Sequence, residues 1–201
     1  MSARQSWALD AVQIRLRTAG PDDRERVARF LAAMDRDGLY QRHFAHGEAP
    51  NLALLARLAA TNGRDHVGVL AVDSAGEVLG HAEYVALGGS AEYALMLLPA
   101  VRGIGLGRRL LAALLELAAA AGHRALHGII QAGNTPALQL SARMGFRVVP
   151  GADRTTVIVS RELAPVQSGA NGLPRPDADD HPTLPGLHDP DRTSLHRCTG
   201  A

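Results

Sequence analysis

Three apolar stretches with strand-like alternation follow one another between residues 66 and 98. Their sequences are HVGVLAV, VLGHAEYVAL and AEYALMLL. The segments between them, DSAGE and GGS, are rich in turn formers and too short for a helical crossover. The stretches therefore predict three consecutive antiparallel strands at the centre of a sheet.

Strand and helix patterns flank these three strands on both sides. Apolar residues alternate in the predicted strands and recur at helical spacing in the predicted helices. The connection over 91–131 is a strand, a helix and a strand, so a right-handed crossover should make its two strands parallel. We expect an α/β fold with a mixed, mainly antiparallel central sheet and flanking helices. Strands are predicted over 12–17, 124–131 and 155–163, and helices over 20–34, 36–44, 51–60, 107–122 and 134–146.

The composition changes at residue 165. The segment over 165–201 holds six of the eleven prolines and no Phe, Tyr or Trp. Such a segment cannot bury enough apolar surface to offset its ordering entropy. We expect one folded domain over 10–164 and a disordered Pro/Gly-rich tail over 165–201.

Several protein classes conflict with the composition. All 21 basic residues are arginine, so a Walker phosphate loop and a Schiff-base enzyme, which both need a lysine, are excluded. Cys198 is the single cysteine, no GxSxG elbow is present, and His, Cys and carboxylates lack metal-ligand spacing. No apolar run is long enough to span a membrane, and neither a basic stripe nor stacking aromatics indicate nucleic-acid binding. We expect a cytoplasmic protein without a metal, a membrane partner or a nucleic-acid partner.

A glycine-rich loop, VRGIGLGRRLL over 101–111, joins the third central strand to a leucine-rich helix. Such a loop can simply make a tight turn, but it also presents backbone N–H groups at the positive end of the helix dipole, where phosphate oxygens bind well. The dinucleotide fingerprint GxGxxG does not fit, because Arg108 and Leu110 stand where its last glycine would be. The residues from Arg102 to Gly107 instead fit RxxGxG.

This RxxGxG loop resembles the acyl-CoA pyrophosphate loop of the GCN5-related N-acetyltransferase (GNAT) superfamily. LMLLPAVRGIGLGRRLL is similar to the superfamily's strand, loop and helix, and NTPALQLSARMGF to its Asn-headed helix ending in Gly-Phe. GLYQRHF and SAEYALML further resemble the branch of bacterial protein lysine acetyltransferases (Pat-like). The resemblance covers about residues 12–162 and implies the acyl-CoA N-acyltransferase fold. It implies an enzyme that moves an acetyl group from acetyl-CoA to a primary amine.

The resemblance also implies which residues bind acetyl-CoA. The backbone of three strand residues would pair with the pantetheine arm as if it were an added strand, and loop amides would hold the pyrophosphate. Two residues of the next helix would make further contacts. These implied residues are Ala94, Leu95 and Met96 on the strand, Arg102, Gly103, Ile104, Gly105, Leu106 and Gly107 in the loop, and Asn134 and Arg143 on the helix.

Acetyl transfer to an amine requires a general base, because an ammonium must lose a proton before it can attack. A carboxylate in a cleft is suited to this task, especially when partly desolvated. The branch resemblance assigns the base to Glu92, which could otherwise be an ordinary solvent-facing charge. His81 and Glu83 share one face of the preceding strand and form a second-tier proton path. The histidines His123 and His127 fit turn and strand positions better than catalytic ones.

The sequence departs from the superfamily at Ser141, where many members carry a tyrosine that protonates the departing thiolate. That role is absent, filled by water, or taken by Tyr93 or Tyr84. The departure also leaves open a non-catalytic module that binds acyl-CoA as a sensor.

The acceptor amine is not specified by the sequence. The residues expected to line its side, Asp35, Asp37, Glu48 and Arg57, fit a cationic amine but also a solvated surface. The branch resemblance favours a protein lysine, and a small-molecule amine remains open. The oligomeric state is likewise undetermined.

Overall fold

The computed structural model describes residues 13–38, 61–149 and 155–164. By its internal contacts the chain divides into two units, Met1–Gln167 and Ser168–Ala201, and every described residue belongs to the first. The predicted helix over 51–60, most of the one over 36–44 and the tail over 165–201 lie outside the described residues.

Among the described residues, seven strands form one mixed sheet with the order β1-β2-β3-β4-β5-β7-β6. Every neighbouring pair is antiparallel except β4 and β5, which are parallel. This confirms the predicted fold class, the three-stranded centre and the crossover. The strands are β1 Arg15–Thr18, β2 His66–Val72, β3 Val78–Leu87, β4 Ser90–Leu97, β5 Ala125–Gln131, β6 Arg147–Val149 and β7 Thr156–Glu162. The helices are α1 Arg24–Ala32, α2 Leu106–Ala120 and α3 Thr135–Arg143.

Alternate residues of β2 pack into two apolar clusters, one with α2 and one with α1. Val69 and Ala71 belong to the cluster of the α2 leucines, whereas Leu70 packs with Val27 and Phe30 of α1. Because neighbouring residues of a strand point to opposite faces, a helix covers each face of the sheet. This layering explains why β2 is a continuous apolar run.

The entrance to α1 depends on the buried carboxylate of Asp23. Its side chain accepts hydrogen bonds from the Arg17 guanidinium at 2.7 Å and from the Gly20 amide at 3.0 Å. The Arg17 hydrogen bond is the main reason that the pKa of Asp23 lies below its usual range. The hydrogen-bonded pair of Arg17 and Asp23 thus links β1 to the turn that starts α1.

We expect Asp23→Asn to lower the free energy of unfolding by about 1–2 kcal/mol at neutral pH, since Arg17 is half exposed and partly screened. Because the pKa is depressed in the folded state, this stabilisation is complete above the unfolded pKa near about 4 and is lost as the pH falls through the folded pKa. Urea unfolding at pH 7 and pH 3 should therefore show a difference between the variant and the wild type that shrinks at pH 3. The matched control is Asp22→Asn at the exposed neighbouring position, and an equal loss there would contradict the role of Asp23.

Candidate active site

The sheet opens between its two parallel strands. β4 and β5 are paired over residues 91–93 and 126–128, with Tyr93 opposite Gly128 as the last pair. β4 continues to Leu97 and β5 to Gln131, but their later residues do not pair with each other, and β5 pairs along its whole length with β7 on its other edge. Within the described residues, the β5-facing edge of residues 94–97 thus has no strand beside it. We call this space the β4–β5 gap, and it contains the edge on which Ala94, Leu95 and Met96 were expected to bind the pantetheine arm.

The glycine loop lies at the end of β4 where the gap opens. Gly103 and Gly105 have positive φ angles of 80° and 88°, and a Cβ built on either would have no heavy atom within 4 Å. Gly105 is the N-cap of α2, so the first-turn amides of this helix have no intrahelical partner. The loop has the left-handed backbone and the open surface that an anion-binding turn needs.

Arg102 holds the loop in place through its side chain and its backbone. Its guanidinium donates two hydrogen bonds to the Asp35 carboxylate, at 2.9 and 2.7 Å, and one to the Leu97 carbonyl at 3.2 Å. The Arg102 hydrogen bond also lowers the pKa of Asp35 below its usual range. The Arg102 amide donates to the Pro99 carbonyl at 3.3 Å. Arg102 therefore positions the loop, and its own amide is already hydrogen-bonded within the loop.

Asn134 and Arg143 lie at opposite ends of α3. Asn134 caps the helix by accepting a hydrogen bond from the Ala137 amide at 3.2 Å, as its sequence position predicts. Because β4 and β5 are parallel, the residues that follow each strand lie at the same edge of the sheet, so Asn134 and the glycine loop share an edge. Arg143 is the last residue of α3, about 13 Å further along the helix and away from that edge. The structure thus separates two residues that the sequence analysis grouped.

Two carboxylates line one open pocket of about 250 Å³ on the α1 face of the sheet. Glu92 of β4 is exposed, whereas Glu83 of β3 is 1% exposed and its carboxylate lies 2.9 Å from the His66 Nε2. His81 is also buried on this face. Of the two carboxylates, Glu83 therefore has the burial that favours a general base, whereas Glu92 is the one accessible to solvent.

Sequence reasoning missed two histidines near these carboxylates. His66 was not singled out, and it contacts Glu83 because β2 and β3 pair with Gly68 opposite Glu83. His127 was set aside, yet it is the register partner of Glu92 on β5. Both placements depend on strand register, which no local pattern reveals.

Tyr93 of β4 reaches across to α3 on the other face of the sheet. Its hydroxyl lies 2.9 Å from the Ser141 Oγ, which in turn donates to the Ala137 carbonyl at 2.9 Å. Since the serine proton is used in that bond, the tyrosine is the donor of the pair. Burial raises the pKa of Tyr93. Of the two tyrosines considered for the proton-donor role, the other, Tyr84, donates instead to the Arg64 carbonyl at 3.0 Å.

Of the remaining sequence candidates, His123 makes contacts outside this arrangement. His123 lies edge-on to Tyr84, and its Nε2 is 3.3 Å from the Arg64 carbonyl. Glu48 and Arg57 lie outside the described residues. The described ranges contain no group of three His, Cys, Asp or Glu side chains placed to hold a metal ion. Within the same ranges, no helix has the length and apolar character to cross a membrane.

A family model described as the acetyltransferase (GNAT) family matches residues 31–146 of the chain. The L-methionine sulfoximine/L-methionine sulfone acetyltransferases of Pseudomonas paraeruginosa and Pseudomonas aeruginosa are each 37% identical to it over 86 residues. That match covers 40% of this chain and 50% of each relative. The chain thus spans about half the length of the curated relatives it matches.

Solved structures share the fold over most of the chain. The GNAT domain of S. lividans PAT superposes with a TM-score of 0.70 at 23% identity, covering 75% of this chain and 90% of that one. A GNAT superfamily phosphinothricin acetyltransferase (Pat) from Sinorhizobium meliloti, in complex with acetyl-CoA, gives a TM-score of 0.62 at 21% identity, covering 77% and 94%. At these identities the likeness concerns the fold.

Proposed function

The chain belongs to the acetyltransferase (GNAT) family, and from this membership we propose that it transfers an acetyl group from acetyl-CoA to a primary amine. The observation that carries the proposal is the arrangement around β4. A glycine loop with left-handed residues follows the strand at a helix N-terminus, an open backbone edge runs along the strand, and two carboxylates line the pocket beside it.

In the proposed complex, acetyl-CoA lies along the outer half of β4. Amides from Gly103 to the first turn of α2 hold the pyrophosphate, because the first-turn amides have no intrahelical partner and lie at the positive end of a helix. The pantetheine arm enters the β4–β5 gap beside Ala94, Leu95 and Met96 and bonds to the backbone of Leu95 as an added strand does. The backbone groups of Ala94 and Met96 face β3, because alternate residues of a strand bond to opposite neighbours. Asn134 borders the same edge, and Arg143 lies at the other end of α3.

The proposed reaction is a direct attack without a covalent enzyme intermediate. Glu92 takes a proton from the acceptor ammonium, and the amine nitrogen then attacks the thioester carbonyl carbon. The carbon–sulfur bond then breaks and the nitrogen gives up a second proton to water as the amide forms. The CoA thiolate leaves and takes up a proton from water, so that this second proton balances the free thiol. Glu83 and His66 lie on the same face of the sheet as Glu92 and form a buried pair with each other.

We propose a small-molecule primary amine as the first acceptor class to test, with a protein lysine as the second. The named activity of the Pseudomonas relatives and that of the phosphinothricin acetyltransferase support the first choice. The resemblance of GLYQRHF and SAEYALML to the lysine acetyltransferase branch supports the second. Two carboxylates at one pocket favour a cationic amine in either case.

Release of free thiol from acetyl-CoA, measured with a panel of amines, amino acids and lysine peptides, tests the proposal. We expect at least one amine to release thiol above the no-acceptor rate. If acetyl-CoA raises the melting temperature but no acceptor releases thiol, the chain is an acyl-CoA sensor instead. If acetyl-CoA does neither, the proposed donor is wrong.

A further inference from the structure

An aromatic side chain covers the inner end of the β4–β5 gap on the α3 face of the sheet. Tyr93 and Gly128 form the last pair of the two strands, and the Tyr93 ring extends over Gly128. A Cβ added to Gly128 would lie 2.7 Å from the Tyr93 Cζ and 3.0 Å from its hydroxyl, which is too close for any side chain. The tyrosine ring therefore occupies the space that a β5 side chain would need.

Three contacts hold this ring in one position. Its hydroxyl bonds to Ser141 at 2.9 Å, its centroid lies 5.3 Å from that of Phe146, and its hydroxyl end lies over Gly128. Tyr93 is 9% exposed and Ser141 is 1% exposed. Because a packed interior resists displacement, moving the ring costs both the hydrogen bond and the packing.

The direction of the bound donor places its acyl group at this ring. This step depends on the function proposed above. With the pyrophosphate at the loop after β4, the pantetheine arm runs back along the strand from Leu97 toward Ala94. The thioester is the end of that arm, so the acyl group comes next to Tyr93.

We propose that Tyr93 limits the length of the acyl group and makes the chain selective for acetyl over longer acyl donors. A two-carbon group ends before the ring, whereas each further methylene must enter the space that the ring fills. One methylene in a closed apolar pocket is worth about 10–200-fold in discrimination. Ser141 and Gly128 act as positioning residues, because one anchors the hydroxyl and the other leaves room for the ring.

The test compares acetyl-CoA with butyryl-CoA, by calorimetric binding without acceptor and by kcat/KM with any amine that supports turnover. For the wild type we expect acetyl-CoA to be preferred by at least about 10-fold. Tyr93→Leu, which shortens the side chain, should raise the butyryl-to-acetyl ratio by at least about 10-fold. Tyr93→Phe keeps the ring and should leave that ratio within about threefold of wild type.

Tyr84→Leu is the matched control. Tyr84 is the cross-strand partner of Tyr93 on β3, is fully buried and lies one strand further from the gap. The Tyr84→Leu variant should lose about as much stability as Tyr93→Leu without changing the butyryl-to-acetyl ratio. A wild type that binds the two donors equally would overturn the inference, even if Tyr93→Leu failed to fold. An unchanged ratio in folded Tyr93→Leu would also overturn it. Absence of binding by any acyl-CoA would instead overturn the proposed function.

Discussion

Replacement of Gly105 by valine should weaken acetyl-CoA binding by at least about 100-fold, which corresponds to about 2.7 kcal/mol. Gly105 has a φ of 88° at the N-cap of α2. A β-branched residue does not tolerate this left-handed conformation, so the loop must change its path. The amides proposed to hold the pyrophosphate then point elsewhere. Isothermal titration calorimetry with acetyl-CoA measures the loss.

Gly76→Val provides the matched control for this variant. Gly76 lies in the turn between β2 and β3, has a φ of 84° and, like Gly105, has open space around a Cβ. Valine there introduces the same backbone strain in a turn that is outside the proposed donor contacts. We expect a similar drop in melting temperature with unchanged affinity for acetyl-CoA. Equal affinity losses in both variants would show that strain alone weakens binding and would remove the loop from the proposed site.

Glu92→Gln should lower kcat by about 10²–10⁴-fold while leaving the affinity for acetyl-CoA within about twofold. Glutamine has the shape of glutamate but cannot accept the ammonium proton. The proposed contacts with acetyl-CoA are backbone groups that follow Glu92 in β4 and in the glycine loop. Binding of acetyl-CoA should therefore persist in the variant. Steady-state thiol release across the pH range and calorimetry on the same protein separate the two effects.

Two further variants test whether the loss of kcat is specific to Glu92. Glu116→Gln changes an exposed glutamate on α2, remote from the pocket, and should leave kcat unchanged. Glu83→Gln alters the buried partner of His66 and should reduce kcat less than Glu92→Gln if Glu92 is the base. A larger loss in Glu83→Gln, with turnover retained in Glu92→Gln at every pH, would transfer the base assignment to Glu83.

Local patterns predicted the larger part of the fold. The central strands, the leucine-rich helix and the parallel pair follow from alternation, turn residues and crossover handedness. β6 was missed because three exposed residues, Arg147–Val149, carry no readable pattern. The helix predicted over 134–146 ends at Arg143, since Gly145 has a φ of 79° and turns the chain.

The candidate site was predictable where its residues are consecutive in sequence. The glycine loop and Glu92 belong to continuous motifs, so sequence alone identifies them as candidates. The contact of His66 with Glu83 joins residues 17 positions apart, and that of Tyr93 with Ser141 joins residues 48 apart. Such contacts are set by strand register and by the packing of α3, which sequence periodicity does not encode.

The short pairing between β4 and β5 divides the sheet into two antiparallel halves joined along a narrow seam. Hydrogen bonds near such a seam can open without unfolding either half, so their amides should exchange with solvent sooner than those of β2 and β3. A ligand lying in the β4–β5 gap would hydrogen-bond to the backbone of one half of the sheet and would shield the amides of the other half from solvent. Donor binding should then slow amide exchange on both sides of the seam, and so couple the unfolding of the two halves.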